Sequence, residues 1–231
     1  MKIVTVPALL DHITITAPSL EAGSEFVREA LGVAPQEGGE HPRMGTHNRL
    51  LHLGESMFLE VIAVNPAAVA PARPRWFALD TLPRQALPAL STWVARTADI
   101  RNALTASPES LGSIEPMSRG TLDWLITIPE DGSLPLGGLA PALIEWSSAA
   151  HPATKLIDRN LRLMKLELLS PQPERLEHLL RTLGVDAPVS IRPAPVARLI
   201  AHIATPQGIR LLSSPGTPGN ALPYPHIPSP S

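Results

Sequence analysis

The chain has 231 residues, of which 44% are hydrophobic, 17% charged and only 3% aromatic; it is long enough to bury a proper core as one large domain or two small ones. Lys and Arg total 19 against 21 Asp and Glu, so a net charge of -2 gives no electrostatic case for gripping nucleic acid. The absence of cysteine excludes disulfides, thiolate metal sites and a Cys nucleophile.

No window approaches the roughly 18 uninterrupted apolar residues of a membrane span, and the apolar run at the N-terminus is too short for a signal sequence. The sequence therefore predicts a soluble, cytoplasmic protein with neither nucleic acid nor membrane as partner. Its 27 prolines exceed twice the usual share of about 5% and predict short elements with firm stops.

The first unit spans residues 1–66. L-D-H-I-T-I-T alternates with a period of two, Ile13 and Ile15 against His12, Thr14 and Thr16, and predicts a strand. A helix follows, with Ser19 as N-cap, Leu20, Gly23, Val27, Ala30 and Leu31 at helical spacing, and Gly32 as the stop. A Gly/Pro-rich turn (Gly38, Gly39, Pro42, Gly45) leads to strands at Asn48–Leu53 and Met57–Val64, joined by a Gly54-Glu55-Ser56 hairpin.

Residues 67–90 form an Ala/Pro-rich connector containing Trp76-Phe77, expected to lie outside the core. The second unit, 91–160, is a looser copy: a strand at Ser91–Thr97, a helix at Asp99–Ala106 limited by Pro108, and strands at Leu122–Ile128 and Ala142–Ser147. The third, 161–212, repeats the first without gaps, Met164 to Val185 lying over His12 to Val33 and I-A-H-I (Ile200–Ile203) over L-L-H-L (Leu50–Leu53). A Pro-rich tail, 213–231, completes the chain.

Such units predict an α+β fold: repeated βαβββ modules forming a mixed, largely antiparallel curved sheet with helices on the convex face. If Ile13 and Ile15 pack under the helix, His12, Thr14 and Thr16 face a concave surface, joined by Phe58, Glu60 and Ile62 from the last strand of the unit. His12 and Glu60 are the pair that matters. A carboxylate inside an otherwise apolar strand (F-L-E-V-I) needs a partner, and an imidazole with a carboxylate makes either a hydrogen-bonded pair or half of a divalent-metal site suited to Zn, Mn, Fe, Ni or Co.

L-D-H-I opening such a module and F-L-E-V-I closing it resemble the vicinal oxygen chelate superfamily. Within it, H-P-R-M-G-T-H-N-R-L-L-H-L-G-E-S-M-F-L-E-V-I-A-V-N-P (His41 to Pro66) resembles the glyoxalase-like domain family. The resemblance implies a cleft between paired modules, with metal ligands on their first and last strands: His12, Glu60 and, from L-I-E-W in the second unit, Glu145. Trp93-Val94-Ala95 supplies no ligand type on the second unit's first strand, and Met164 and Arg210 occupy the positions in the third.

Glu145, if unligated, or His52 is the candidate catalytic base. Asn48, His47, Trp146 and Trp124 are candidate substrate contacts, the two tryptophans also fitting a purely core role. His41-Pro42 and His151-Pro152 read as solvated loop histidines. The resemblance implies a divalent-metal-dependent lyase, isomerase or dioxygenase-type enzyme acting on a small carbonyl or vicinal-oxygen substrate. Its rivals are a non-catalytic binder of the drug-resistance type and a structural protein in which Glu60 pairs only with an Arg such as Arg49. An odd third module, unable to pair within one chain, predicts a homodimer.

Overall fold

β1 (Leu9–Thr16) and α1 (Leu20–Leu31) form where the alternation and the caps place them; the Ser19 hydroxyl accepts from Ala22 N at 3.2 Å, and Gly32 closes the helix at φ 76°. The computed structural model describes residues 7–147, 151–185 and 188–214; most of the Pro-rich tail, 215–231, lies outside them. β2 (Gln36–His41), β3 (Thr46–Gly54) and β4 (Met57–Val64) complete the first module. β5 (Ala89–Arg96), α2 (Ile100–Ala106), β6 (Ser113–Arg119), β7 (Leu122–Ile128) and β8 (Ala142–Trp146) form the second.

Their strands share one curved eight-stranded sheet of order β2-β3-β4-β1-β5-β8-β7-β6. The order reads as two copies of one four-strand unit joined through their first strands, β1 and β5 running antiparallel, with β1/β4 and β5/β8 parallel within each copy. Ile13, Ile15, Leu59, Val61, Ala63, Trp93 and Leu143 bury themselves with Val27, Leu31, Ile100 and Ala103 of the two helices, on the convex face. Thr14, Glu60 and Ile62, which face the other way by register, line the hollow side.

β2 runs through the segment whose glycines suggested only a turn. Gly38 and Gly39 serve close packing instead: a Cβ on Gly38 would lie 2.2 Å from Asn48 Oδ1, and one on Gly39 2.6 Å from Arg119 Cδ. The connector is not peripheral either. Trp76, Phe77 and Leu79 are buried with Ile62, Val94, Trp124, Ile126 and Ile144 in a second core on the hollow side. The turn that inserts them holds Phe77 and Ala78 at φ 56°, a left-handed backbone costing about 1–2 kcal/mol per residue, and Ala78 N donates to Gly132 O at 2.8 Å to hold it. Apolar burial in the hollow offsets that cost, and composition alone does not reveal it.

β9 (Arg162–Ser170), α3 (Pro173–Leu183), β10 (Val189–Pro193), β11 (Arg198–Thr205) and β12 (Gly208–Ser213) repeat the element order of the first module. Their strand order differs: β10-β9-β11-β12, with the crossover strand β10 lying parallel to β9. This sheet buries Leu163, Leu166, Leu168, Leu199, Ala201, Ile203 and Leu212 in the same core as α1 and α2. One face of the third module is thus covered within the chain, while Met164, Ile209 and Leu211 remain exposed.

Candidate active site

β1 carries one irregularity that builds the site. Leu10 pairs with Ala95, but His12 pairs with Val94, the next residue along β5, so Asp11 is an extra residue, a β-bulge. Strict alternation would turn Asp11 toward the helices; instead its carboxylate reaches His12. Asp11 Oδ1 lies 2.6 Å from His12 Nδ1, while Oδ2 accepts from His151 Nε2 at 2.8 Å and Trp146 Nε1 at 3.0 Å. Asp11 is fully buried, and burial opposes its ionisation; the bonds from His12 and His151, and then their charges, outweigh burial and hold the carboxyl well below its ordinary range. An ionised Asp11 requires the proton of neutral His12 on Nδ1, which leaves the Nε2 lone pair free.

His12 Nε2 faces Glu60 Oε2 at 3.7 Å, and the His12 ring stacks on Phe58 at 4.4 Å. Glu60 Oε1 accepts from Asn48 Nδ2 at 2.6 Å, and Thr14 Oγ1 donates to Oε2 at 3.5 Å. Asn48 is fixed in turn by two donors to its Oδ1, Gly39 N at 2.9 Å and Arg119 Nη1 at 3.0 Å. Arg119 Nη1 also lies 3.4 Å from His41 Nε2. Burial, then the Arg119 charge, pushes the His41 imidazole down to about 3, so it is neutral and its Nδ1, 3.1 Å from Thr46 Oγ1, carries the proton.

These side chains surround a hollow whose remaining wall is apolar and aromatic: Trp76, Phe77, Trp124, Ile126, Ile144 and Trp146. Strands of both halves of the sheet contribute, so the hollow exists only because β1 and β5 join the two modules edge to edge.

The expected convergence of His12 and Glu60 is present, and Asn48, Trp124 and Trp146 stand beside them. Three other candidates lie elsewhere. Glu145 points to the convex face and accepts from Ile100 N at 2.7 Å, at the start of α2; in L-I-E-W it is Ile144 and Trp146 that face the hollow. His47, opposite Ala63 in the ladder, shares that residue's side of the sheet, away from the hollow. His52 shares the hollow's side of the sheet but sits beyond Phe58, the register partner of both His52 and His12, and lies 3.7 Å from Asp158.

Neither His41 nor His151 is a solvated loop residue: His41 is 5% exposed at the end of β2, and His151 holds Asp11. Arg119, Asp11 and Trp76 carried no sequence signal beyond their type, because each reaches the site by a bulge, a distant strand or the inserted connector. Glu60 does not pair with Arg49, which turns to the helix side and meets Ser24, Glu21 and Glu37.

The donor set does not suit a resident divalent ion. Removing Glu145 leaves His12 and Glu60; Asn48 Oδ1 is already committed to two donors, and a guanidinium occupies the same hollow. Among the described residues no three His, Cys, Asp or Glu side chains converge as a ligand set.

The family model of the glyoxalase-like domain matches residues 10–184, three quarters of the chain and every residue of this site. The chain belongs to the glyoxalase-like domain family. No curated protein matches this glyoxalase-like chain by sequence. Among solved structures, a hypothetical protein from Staphylococcus aureus aligns at TM-score 0.59 and 15% identity, covering 82% of this chain and 87% of that one. Methylmalonyl-CoA epimerase from Mycobacterium tuberculosis aligns at TM-score 0.41 and 19% identity, over 61% of this chain and 88% of its own. A mutant of 4-hydroxymandelate synthase from Streptomyces coelicolor aligns at 0.48 and 18%, over 88% of this chain and 61% of its own. At 15% identity the likeness to the Staphylococcus aureus protein is one of fold alone. No described helix is long and apolar enough to cross a membrane.

Proposed function

We propose that this glyoxalase-like protein catalyses proton transfer at a carbon next to a carbonyl group of a small molecule, an isomerase- or lyase-type reaction, with His12 as the base. The observation that carries this is the Asp11–His12–Glu60 line: a buried carboxylate at 2.6 Å on Nδ1, and Nε2 facing a second carboxylate at 3.7 Å beside an apolar wall. Asp11 orients the imidazole and stabilises the imidazolium formed when Nε2 takes a proton. The C–H electron pair moves to the carbonyl oxygen as an enolate, and return of the proton to carbon completes an isomerisation. Glu60, 3.7 Å away, is the second group able to carry a proton or to balance the imidazolium charge. A dioxygenase-type reaction has less support, because the two-histidine, one-carboxylate set of non-haem iron enzymes is not assembled among the described residues.

The test is deuterium incorporation from D2O at the α-carbon of 2-oxobutanoate, phenylpyruvate and acetoacetate, followed by proton NMR with and without EDTA. Catalysed exchange that persists in EDTA and is lost in His12→Asn supports the proposal. Exchange that EDTA abolishes, or that survives His12→Asn, overturns it. Saturable binding of these compounds without exchange favours the rival, a non-catalytic small-molecule binder.

A further inference from the structure

Arg119 brings a positive charge into the hollow, where Glu60 acts on it through space but no carboxylate of a described residue meets it in an ion pair. It stands at the end of β6, its stem laid over Gly39, and it lines the same cavity as His12 and Glu60. No Asp or Glu among the described residues lies within salt-bridge distance of it, in contrast to Arg49, Arg73, Arg75, Arg96 and Arg162. Among the described residues its hydrogen bonds are made by Nη1 alone, to the neutral side chains Asn48 and His41. Taking a guanidinium partly out of water without a contacting counter-ion is unfavourable, and burial, only partly offset by the charge of Glu60, lowers the Arg119 pKa.

A side chain that lines the hollow carries a second unmatched donor. Trp76 is only 4% exposed, and its indole Nε1–H, itself buried, has no hydrogen-bond partner among the described residues. A buried donor left unpaired costs about 1–3 kcal/mol. Trp76 and Arg119 both touch His41, the indole T-shaped at 5.1 Å between ring centres and Arg119 Nη1 at 3.4 Å. The rest of the wall is aromatic or aliphatic. One cation and one neutral donor beside an apolar wall match a singly charged, planar acceptor carried on an apolar body. Glu60, held on the other side of Asn48, disfavours a dianion such as phosphate.

We propose that Arg119, assisted by the Trp76 indole N–H, is a carboxylate-binding subsite, and that the ligand of this hollow is a small aromatic or aliphatic carboxylate. This rests on the proton-transfer reading only for which end reacts: with the carboxylate at Arg119, Asn48 and Glu60 lie between it and His12, which leaves the opposite end of the ligand for the base.

The test compares phenylacetate with its neutral isostere phenylacetamide, and both with inorganic phosphate, in titrations followed by tryptophan fluorescence and by calorimetry. The proteins are the full chain, Arg119→Gln, Arg119→Lys, Trp76→Phe and His12→Asn, each checked for a native circular dichroism spectrum. Phenylacetate should bind the parent at least tenfold more tightly than phenylacetamide. Arg119→Gln should erase the preference, Arg119→Lys keep part of it, Trp76→Phe reduce it several-fold, and His12→Asn leave it in place. Equal affinity for the two compounds, no saturable binding of phenylacetate, a preference that survives Arg119→Gln, or Arg119-dependent binding of phosphate in its stead would each overturn the proposal. Since His12→Asn abolishes exchange but not the carboxylate preference, failure of the catalytic reading and failure of the subsite are seen separately.

Discussion

His12 with Glu60 and His202 with Glu167 each bring an imidazole and a carboxylate together from neighbouring strands, and of these two pairs only the first lines the hollow. In the first module His12 Nε2 stands 3.7 Å from Glu60, both buried, with a hydrogen-bonded carboxylate behind the imidazole. In the third module His202 Nε2 lies 2.9 Å from Glu167, which also meets Lys165 at 2.6 Å and Arg192 at 3.7 Å. Glu167 is thereby held below its ordinary range, first by the Lys165 bond and then by His202. Its carboxylate is already saturated by cations, and the exposed Met164, Ile209 and Leu211 on neighbouring strands show that its side of the sheet is open. The same residue types in strands thus give a pair that faces a hollow or an ion cluster at the edge of solvent. The difference is a second half-sheet and an inserted connector that close over the first pair; Glu167 is as little exposed as Glu60, but its partners Lys165 and His202 are not buried.

The sharpest way to break this comparison is to exchange roles. His12→Asn should lower exchange by roughly 10²- to 10⁴-fold, whereas His202→Asn should leave the rate unchanged; equal effects would deny the first pair its special place. Asp11→Asn should cost between about 10² and 10⁴ in rate, because an amide lets the imidazole present its protonated nitrogen to the hollow. The pH–rate profile should change shape with it, an effect that a merely loosened fold would not produce.

Stability offers a second contrast. The His41 pKa falls from 6.5 to about 3 on folding, so the unfolded chain binds the extra proton between those values. Stability is therefore full above pH 6.5 and declines as the pH falls toward 3, by up to about 1.4 kcal/mol per pH unit. Urea midpoints from pH 7 to 4 should show the slope, and His41→Gln should flatten it. A slope unaltered by that substitution would assign the acid sensitivity elsewhere. Asp11, also depressed, adds its own loss only as the pH drops below the ordinary carboxylate range.

The smallest effect is expected at Glu145. Glu145→Gln weakens its bond to Ile100 N at the start of α2 and should cost about 0.5–1 kcal/mol in the urea midpoint, with exchange unchanged. A large loss of exchange would return Glu145 to the site.

Local periodicity sufficed for much of this molecule. Alternation in β1 and β4 set His12, Thr14 and Glu60 on one face, because side chains on a strand must alternate, and the Ser19 and Gly32 caps delimited α1 by local backbone chemistry alone. The repeat of element order in the third module was legible for the same reason. Its strand order was not, since pairing partners are chosen between segments distant in the chain.

What only the tertiary structure decided is the identity of the site's other half. Asp11 joins His12 through a bulge that exists only against β5; Arg119 and His41 meet across the two modules; Trp76 and Phe77 enter the hollow through a backbone conformation that apolar burial stabilises. Glu145 lost its expected place by the same rule that put Glu60 in its own: one step along a strand reverses the face, and which residues face inward is settled by what packs on either side.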